Sequence, residues 1–214
     1  MFRAIAVTQW KWTRGIVLLT TIMGFALPLL VLQFARRGAH PQEFVAIMQS
    51  WAPAYAILSA LTGLLVGLMA WQHDHQGRHV YALSLPIPRS RYVLLRFGSG
   101  LLFLVPTMVA VLVSALIVSA SSQIPDALQA YPLAFAFRFA LAAVVAYTMF
   151  FAVASSTSQT AGVIIGVIVA LVFTQYLLSI TSTDVDILSP VVDFLFARPG
   201  ILSIFSGRWM LVDV

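Results

Sequence analysis

Apolar runs of about 20 residues, the length a helix needs to cross the hydrocarbon of a bilayer, recur along the chain between short polar stretches. They cover residues 15–34, 53–70, 97–120, 133–154 and 161–180, and predict five transmembrane helices. The longest polar interruption is 71–96, WQHDHQGRHVYALSLPIPRSRYVLLR. It carries Arg78, Arg89, Arg91 and Arg96 against the single acid Asp74. Basic connections stay in the cytoplasm, so this one is read as an inner loop, and the alternation of the spans then orients the rest.

Segment 2–14 mixes Phe2, Ile5, Trp10 and Trp12 with Arg3, Lys11 and Arg14. It reads either as a short helix lying in the inner interface or as a flank that anchors the first span. No small-residue cleavage site follows the first apolar run, so that run is expected to remain as a span. Pro28 and Pro106 fall inside spans, where neighbouring helices can compensate for a lost hydrogen bond. Arg36, Arg37, His40, Pro41 and Glu43 make a first outer loop, and 121–132 makes a second with Asp126 as its only charge. Trp51 and Trp71 bracket the second span as interface anchors, and Arg138 snorkels near the outer end of the fourth.

Two glycine pairs, Gly63 with Gly67 and Gly162 with Gly166, have the four-residue spacing that lets helix backbones approach closely. The short turn 155–160, SSTSQT, would join spans four and five in a tight antiparallel hairpin. Residues 181–214 are apolar in patches but broken by Asp184, Asp186, Asp193, Arg198, Pro190, Pro199 and Gly200. A sixth span there would bury charges, so re-entrant or interfacial helices on the outer face are expected.

Composition agrees: 61% of residues are hydrophobic and 9% charged, against roughly 25% charged in an ordinary soluble domain. The chain reads as a single all-α integral membrane domain. The net charge of +5 carries topology: seven of the twelve basic residues and one of the seven acids fall on the inner side, with the N-terminus cytoplasmic. The cations form no continuous stripe, so nucleic acid is not expected as a partner. There is no cysteine, hence no disulfide framework and no thiolate chemistry.

Candidate chemistry is sparse. The only lysine, Lys11, follows no Gly-rich phosphate loop, so the chain is not expected to hydrolyse ATP and reads as a non-enzyme. None of the acids or histidines falls in the middle of a span, where an ion-coupled carrier would keep one. His73, His75 and His79 beside Asp74 have a spacing that invites a metal, but no distant ligand completes the set, and a polar loop is the preferred reading. Ser155, Ser156, Thr157 and Ser158 lack a base in the same layer and read as capping and turn residues.

Residues 74–96 place an acid (Asp74), a glycine (Gly77), an apolar helical patch, Leu85-Pro86, a second proline and Arg89 ahead of a basic entry into the next span. This order resembles the segment between the second and third spans of ABC-2 type transporter permeases, the membrane subunits of a class of ATP-binding-cassette exporters. The resemblance implies that Asp74, Gly77, Arg78, Tyr81, Leu85, Pro86 and Arg89 form a coupling helix and turn that dock into a cytosolic ATPase. It further implies pairing with a second permease copy or paralogue, ATP and Mg bound by the partner ATPase and none by this chain, and residence in a bacterial inner membrane. The family often has Glu where Asp74 stands, and usually adds a sixth span after the outer segment. The residues alone also fit a non-transport structural or assembly subunit, and less well a lipid-modifying membrane enzyme. A Walker-type ATPase purifying with the chain would separate these readings.

Overall fold

The computed structural model describes residues 2–36, 41–76, 88–121, 129–156, 188–197, 202–206 and 211–213, together with 163, 166, 167, 169–171, 173–175, 200 and 209. Their elements run in the order α1 (Phe2–Ala35), α2 (Pro41–Ser50), α3 (Ala52–Gln76), α4 (Arg89–Ser119), β1 (Gln129–Ala130), α5 (Pro132–Ser155), α6 (Leu188–Phe196), α7 (Ser203–Ser206) and β2 (Val212–Asp213). Four of these stretches, 2–35, 42–72, 90–119 and 132–155, are helical, long and apolar enough to cross a membrane. The described chain is thus overwhelmingly helical and compatible with an all-α membrane protein. The chain divides into two compact units, Met1–Phe151 with Arg208–Val214, and Ala152–Gly207.

Three boundaries differ from the sequence reading, each for a local reason. The basic, aromatic start of the chain is no separate interfacial helix: α1 runs unbroken from Phe2 to Ala35, about 51 Å at 1.5 Å per residue. No proline separates the basic start from the apolar run, and both pack on α4. The polar stretch 71–96 is not one loop. Nothing in WQHDHQ stops a helix, so α3 continues to Gln76. α4 starts at Arg89, directly after Pro88 with φ −58° and ψ 138°, a position where the missing proline N–H costs nothing. The first outer loop also shortens. Pro41 opens α2 and Glu43 sits in its first turn, where an acid faces the positive end of the helix.

In the first unit, α1 and α4 run parallel along most of their length. The buried positions Thr13, Val17, Thr20, Gly24, Leu27 and Val31 alternate by four and three, the seam of a left-handed helix pair. Lipid is as apolar as leucine, so such a seam gains from close packing and polar contacts. Thr20 and Thr107 share a hydroxyl hydrogen bond of 3.0 Å, Thr21 lies 3.4 Å from the same hydroxyl, and Ser114 donates to the Gly24 carbonyl. A Cβ at Gly24 would touch Val111 at 3.0 Å, which explains the glycine.

α3 lies against α5 through its glycines. A Cβ at Gly63 would fall 2.5 Å from the Ala143 carbonyl oxygen and the Tyr147 amide, and one at Gly67 would fall 3.0 Å from the Phe151 amide. Opposite them α5 presents the buried Ala142, Ala143 and Ala146. Small residues on both faces bring the two backbones together.

One end of this unit gathers the C-termini of α1 and α4 with the N-termini of α3 and α5. Arg36 donates to Ser121, Phe34 stacks on Trp51 at 5.8 Å, and Tyr55 meets Phe135 edge-on at 4.8 Å. The C-terminal residues close over this end: β2 pairs antiparallel with β1, Gln129 opposite Asp213 and Ala130 opposite Val212. Tyr131 N–H donates to the Leu211 carbonyl at 2.9 Å. Trp209 is buried against Phe135, with the Arg138 guanidinium 5.0 Å from its ring centroid. Arg138 therefore lies over an indole face in addition to sitting near a span end.

In the second unit α6 is about 13 Å long, too short to cross a bilayer. It turns into α7 around Gly200, where a Cβ would run into the Leu195 and Ala197 carbonyls. Leu202 N–H then donates to Leu195, and the Ser206 hydroxyl to Phe196. Most of the predicted fifth span lies outside the described residues. Residues 163, 166, 167, 169–171 and 173–175 within it are helical.

Candidate functional site

The side chains with most to do converge where α3 ends and α4 begins. Tyr92 and Arg96 are four apart on α4 and so share a face. That face meets Trp71 of α3. Arg96 is only 6% exposed, and a guanidinium taken from water must recover its hydration in polar contacts. Its Nε donates to the Ala70 carbonyl and its Nη1 to the Tyr92 hydroxyl. The guanidinium carbon lies 5.1 Å from the Trp71 ring centroid and 5.5 Å from that of Tyr92, so the cation also sits on two aromatic faces.

The neighbours of Arg96 extend the cluster to the other two long helices. Phe97 packs on Tyr147 at 5.2 Å and on Phe151 at 5.2 Å, while Trp71 packs on Phe151 at 5.5 Å. The Tyr147 hydroxyl donates to the Phe97 carbonyl at 2.9 Å and fills the space beside Gly100. Ser99 donates to the Gln9 side chain of α1. Residues 96–100 of α4 thus form a collar on which α1, α3 and α5 all rest.

The collar is built of ring contacts and hydrogen bonds between α4 and its three neighbours. Among the described residues no group of three or more His, Cys, Asp or Glu is placed to hold a metal. His73 and His75 belong to the last turns of α3, and positions two apart on a helix do not share a face.

The residues assigned to the coupling segment divide. Asp74 lies in the last turn of α3 and Arg89 is the first residue of α4, so they mark the two feet of the connection. Gly77, Arg78, Tyr81, Leu85, Pro86 and His79 lie outside the described residues. Gly63 and Gly67 lie at the α3–α5 contact. Gly166 has nothing within 4 Å of the place a Cβ would take, and Gly162 lies outside the described residues.

Sequence reasoning took Arg96 for a topology charge and Trp71 for an interface anchor, and did not single out Tyr92, Phe97 or Tyr147. The four-residue spacing of Tyr92 and Arg96 was the available signal, but nothing local points to Trp71, 25 positions earlier on another helix. No protein-family model, curated protein or solved structure matches the chain. The collar's own residues, with the order of residues 74–96, are therefore what a functional reading stands on.

Proposed function

We propose that the protein is the membrane permease subunit of an ABC-2 type exporter, coupling ATP hydrolysis by a separate cytosolic ATPase to export or mechanical work across the membrane. The observation that carries this reading is the collar. The resemblance puts an ATPase-docking element between Asp74 and Arg89, and the collar lies at the base of that connection, with Arg96, Phe97 and Ser99 in contact with α3, α5 and α1. When the ATPase dimer closes on ATP and Mg, the docked connection moves. The collar then delivers the movement to the whole helix bundle rather than to one helix.

The finer topology belongs to the same proposal. Five spans with a cytoplasmic N-terminus put the collar on the inner side and the β1–β2 ladder on the outer side. Phe151 and Trp209 support the odd span count. Both belong to the first unit and sit at its opposite ends: Trp209 packs against Phe135 and Phe151 against Trp71, with Phe135 and Phe151 about 24 Å apart along α5. Two such subunits would pair in a bacterial inner membrane to enclose a substrate path.

Arg89→Glu and Pro86→Ala, introduced singly into the whole complex, test the docking role. Loss of the ATPase from the purified complex, or ATP hydrolysis without transport, is the expected result. Full assembly and full transport in both variants would overturn the reading.

A further inference from the structure

The first four turns of α1 carry a face that the proposed function leaves unused. Arg3, Val7, Lys11 and Arg14 recur at helical spacing and fall within roughly 80° of arc, with Trp10 at its edge. All three cations are exposed, as are Val7 at 51% and Trp10 at 41%. The opposite face, Gln9, Thr13 and Val17, is buried, and Gln9 accepts from Ser99 of α4. That contact holds the segment upright beside α4 and sets its depth.

Depth makes the cations informative. Lys11 and Arg14 lie two and five residues beyond Gln9, about 3 and 7.5 Å further along the helix. There α4 already presents Leu102 and Val105 as exposed apolar side chains, and Trp10 packs on Phe103 at 5.6 Å. Charge at such a level is costly, and neither α1 nor α4 carries an acid to offset it; the one acid of α3, Asp74, lies in its last turn. Cations beside an indole ring, on a helix without acids and next to exposed leucine, match a phosphate at the boundary of headgroups and acyl chains.

We propose that this face of α1, formed by Arg3, Lys11 and Arg14 with Trp10, binds the headgroups of anionic phospholipid. It acts independently of whether an ATPase docks on the α3–α4 connection. A cation near an anionic membrane surface contributes about fivefold in affinity. Three together set a preference of roughly a hundredfold for anionic over zwitterionic lipid.

The test is titration of the full-length protein in mild detergent with phosphatidylglycerol or phosphatidylcholine, counting bound lipids by native mass spectrometry. The wild type is expected to retain phosphatidylglycerol preferentially and to lose that preference at high salt. The Arg3→Gln, Lys11→Gln, Arg14→Gln triple variant, whose changes are all on exposed positions, should bind both lipids alike with an unchanged melting temperature. Lys11→Arg should behave as wild type. Equal retention of the two lipids by wild type, or an undiminished preference in the triple variant, would overturn the proposal. So would a Val7→Cys probe that cross-links in native membranes to a second copy or another polypeptide instead of remaining lipid-exposed.

Discussion

Replacing Gly63 by alanine tests whether α3 and α5 touch backbone to backbone. The new Cβ would stand 2.5 Å from both the Ala143 carbonyl oxygen and the Tyr147 amide nitrogen, and 2.6 Å from the Ala146 Cβ. Two of these are main-chain atoms of a helix and cannot swing aside. Restoring ordinary contact near 3.5 Å requires the helices to part by roughly 1 Å. Overpacking of this kind costs about 1–3 kcal/mol. Alanine also gains about 1 kcal/mol of helix propensity over glycine, which would mask part of the loss. Gly15→Ala removes that ambiguity, since nothing lies within 4 Å of its Cβ position and the propensity gain is the same. The difference between the two variants isolates the clash. At about 2–4 °C per kcal/mol for a chain of this size, Gly63→Ala should melt about 2–12 °C below Gly15→Ala when unfolding in detergent is followed by tryptophan fluorescence. Equal melting temperatures would refute the close approach of α3 and α5.

The collar makes a second prediction. Arg96→Gln removes the guanidinium with its two charge-assisted hydrogen bonds and two cation–π contacts, and should lower stability by about 2–4 kcal/mol, read in the same melting assay. Arg96→Lys should recover less than half of that, because an ammonium cannot bond Ala70 and Tyr92 together while lying on both rings. Along the α1–α4 seam, a double-mutant cycle of Thr20→Val and Thr107→Val should return a coupling of about 0.6 kcal/mol, and zero coupling would deny the shared hydroxyl contact. Trp209→Ala should cost about 3–5 kcal/mol and open the C-terminal residues to limited proteolysis, since the indole is buried between Phe135 and Arg138.

Much of the architecture could be read before the fold was known, because a bilayer imposes its thickness on the sequence. The spans at 97–120 and 133–154 match α4 and α5 to within a few residues at their apolar ends. The errors lie where helices outlast the hydrocarbon. Polarity marks the edge of the membrane, but α3 passes through His73 and Asp74 to Gln76, and α4 starts at Arg89, eight residues before its apolar run. Arg96 was misread for a related reason: a cation at a span boundary gives the same signal of sidedness whether it faces water or lies between Trp71 and Tyr92. Gly63 was visible from spacing alone, whereas Ala143 and Ala146 opposite it were not, since alanine is unremarkable in an apolar helix. The β1–β2 ladder joins residues more than 80 positions apart over two residues each, and no local pattern announces so short a pairing.

The most direct test of the permease reading is to purify the tagged chain in mild detergent from its native membrane and identify by mass spectrometry what stays bound. The reading predicts a stoichiometric cytosolic ATPase that dissociates when residues 77–89 are altered and stays bound when Gly15 is changed. A stable membrane complex without any ATPase would contradict it and would favour a structural or assembly subunit built on the same helix bundle.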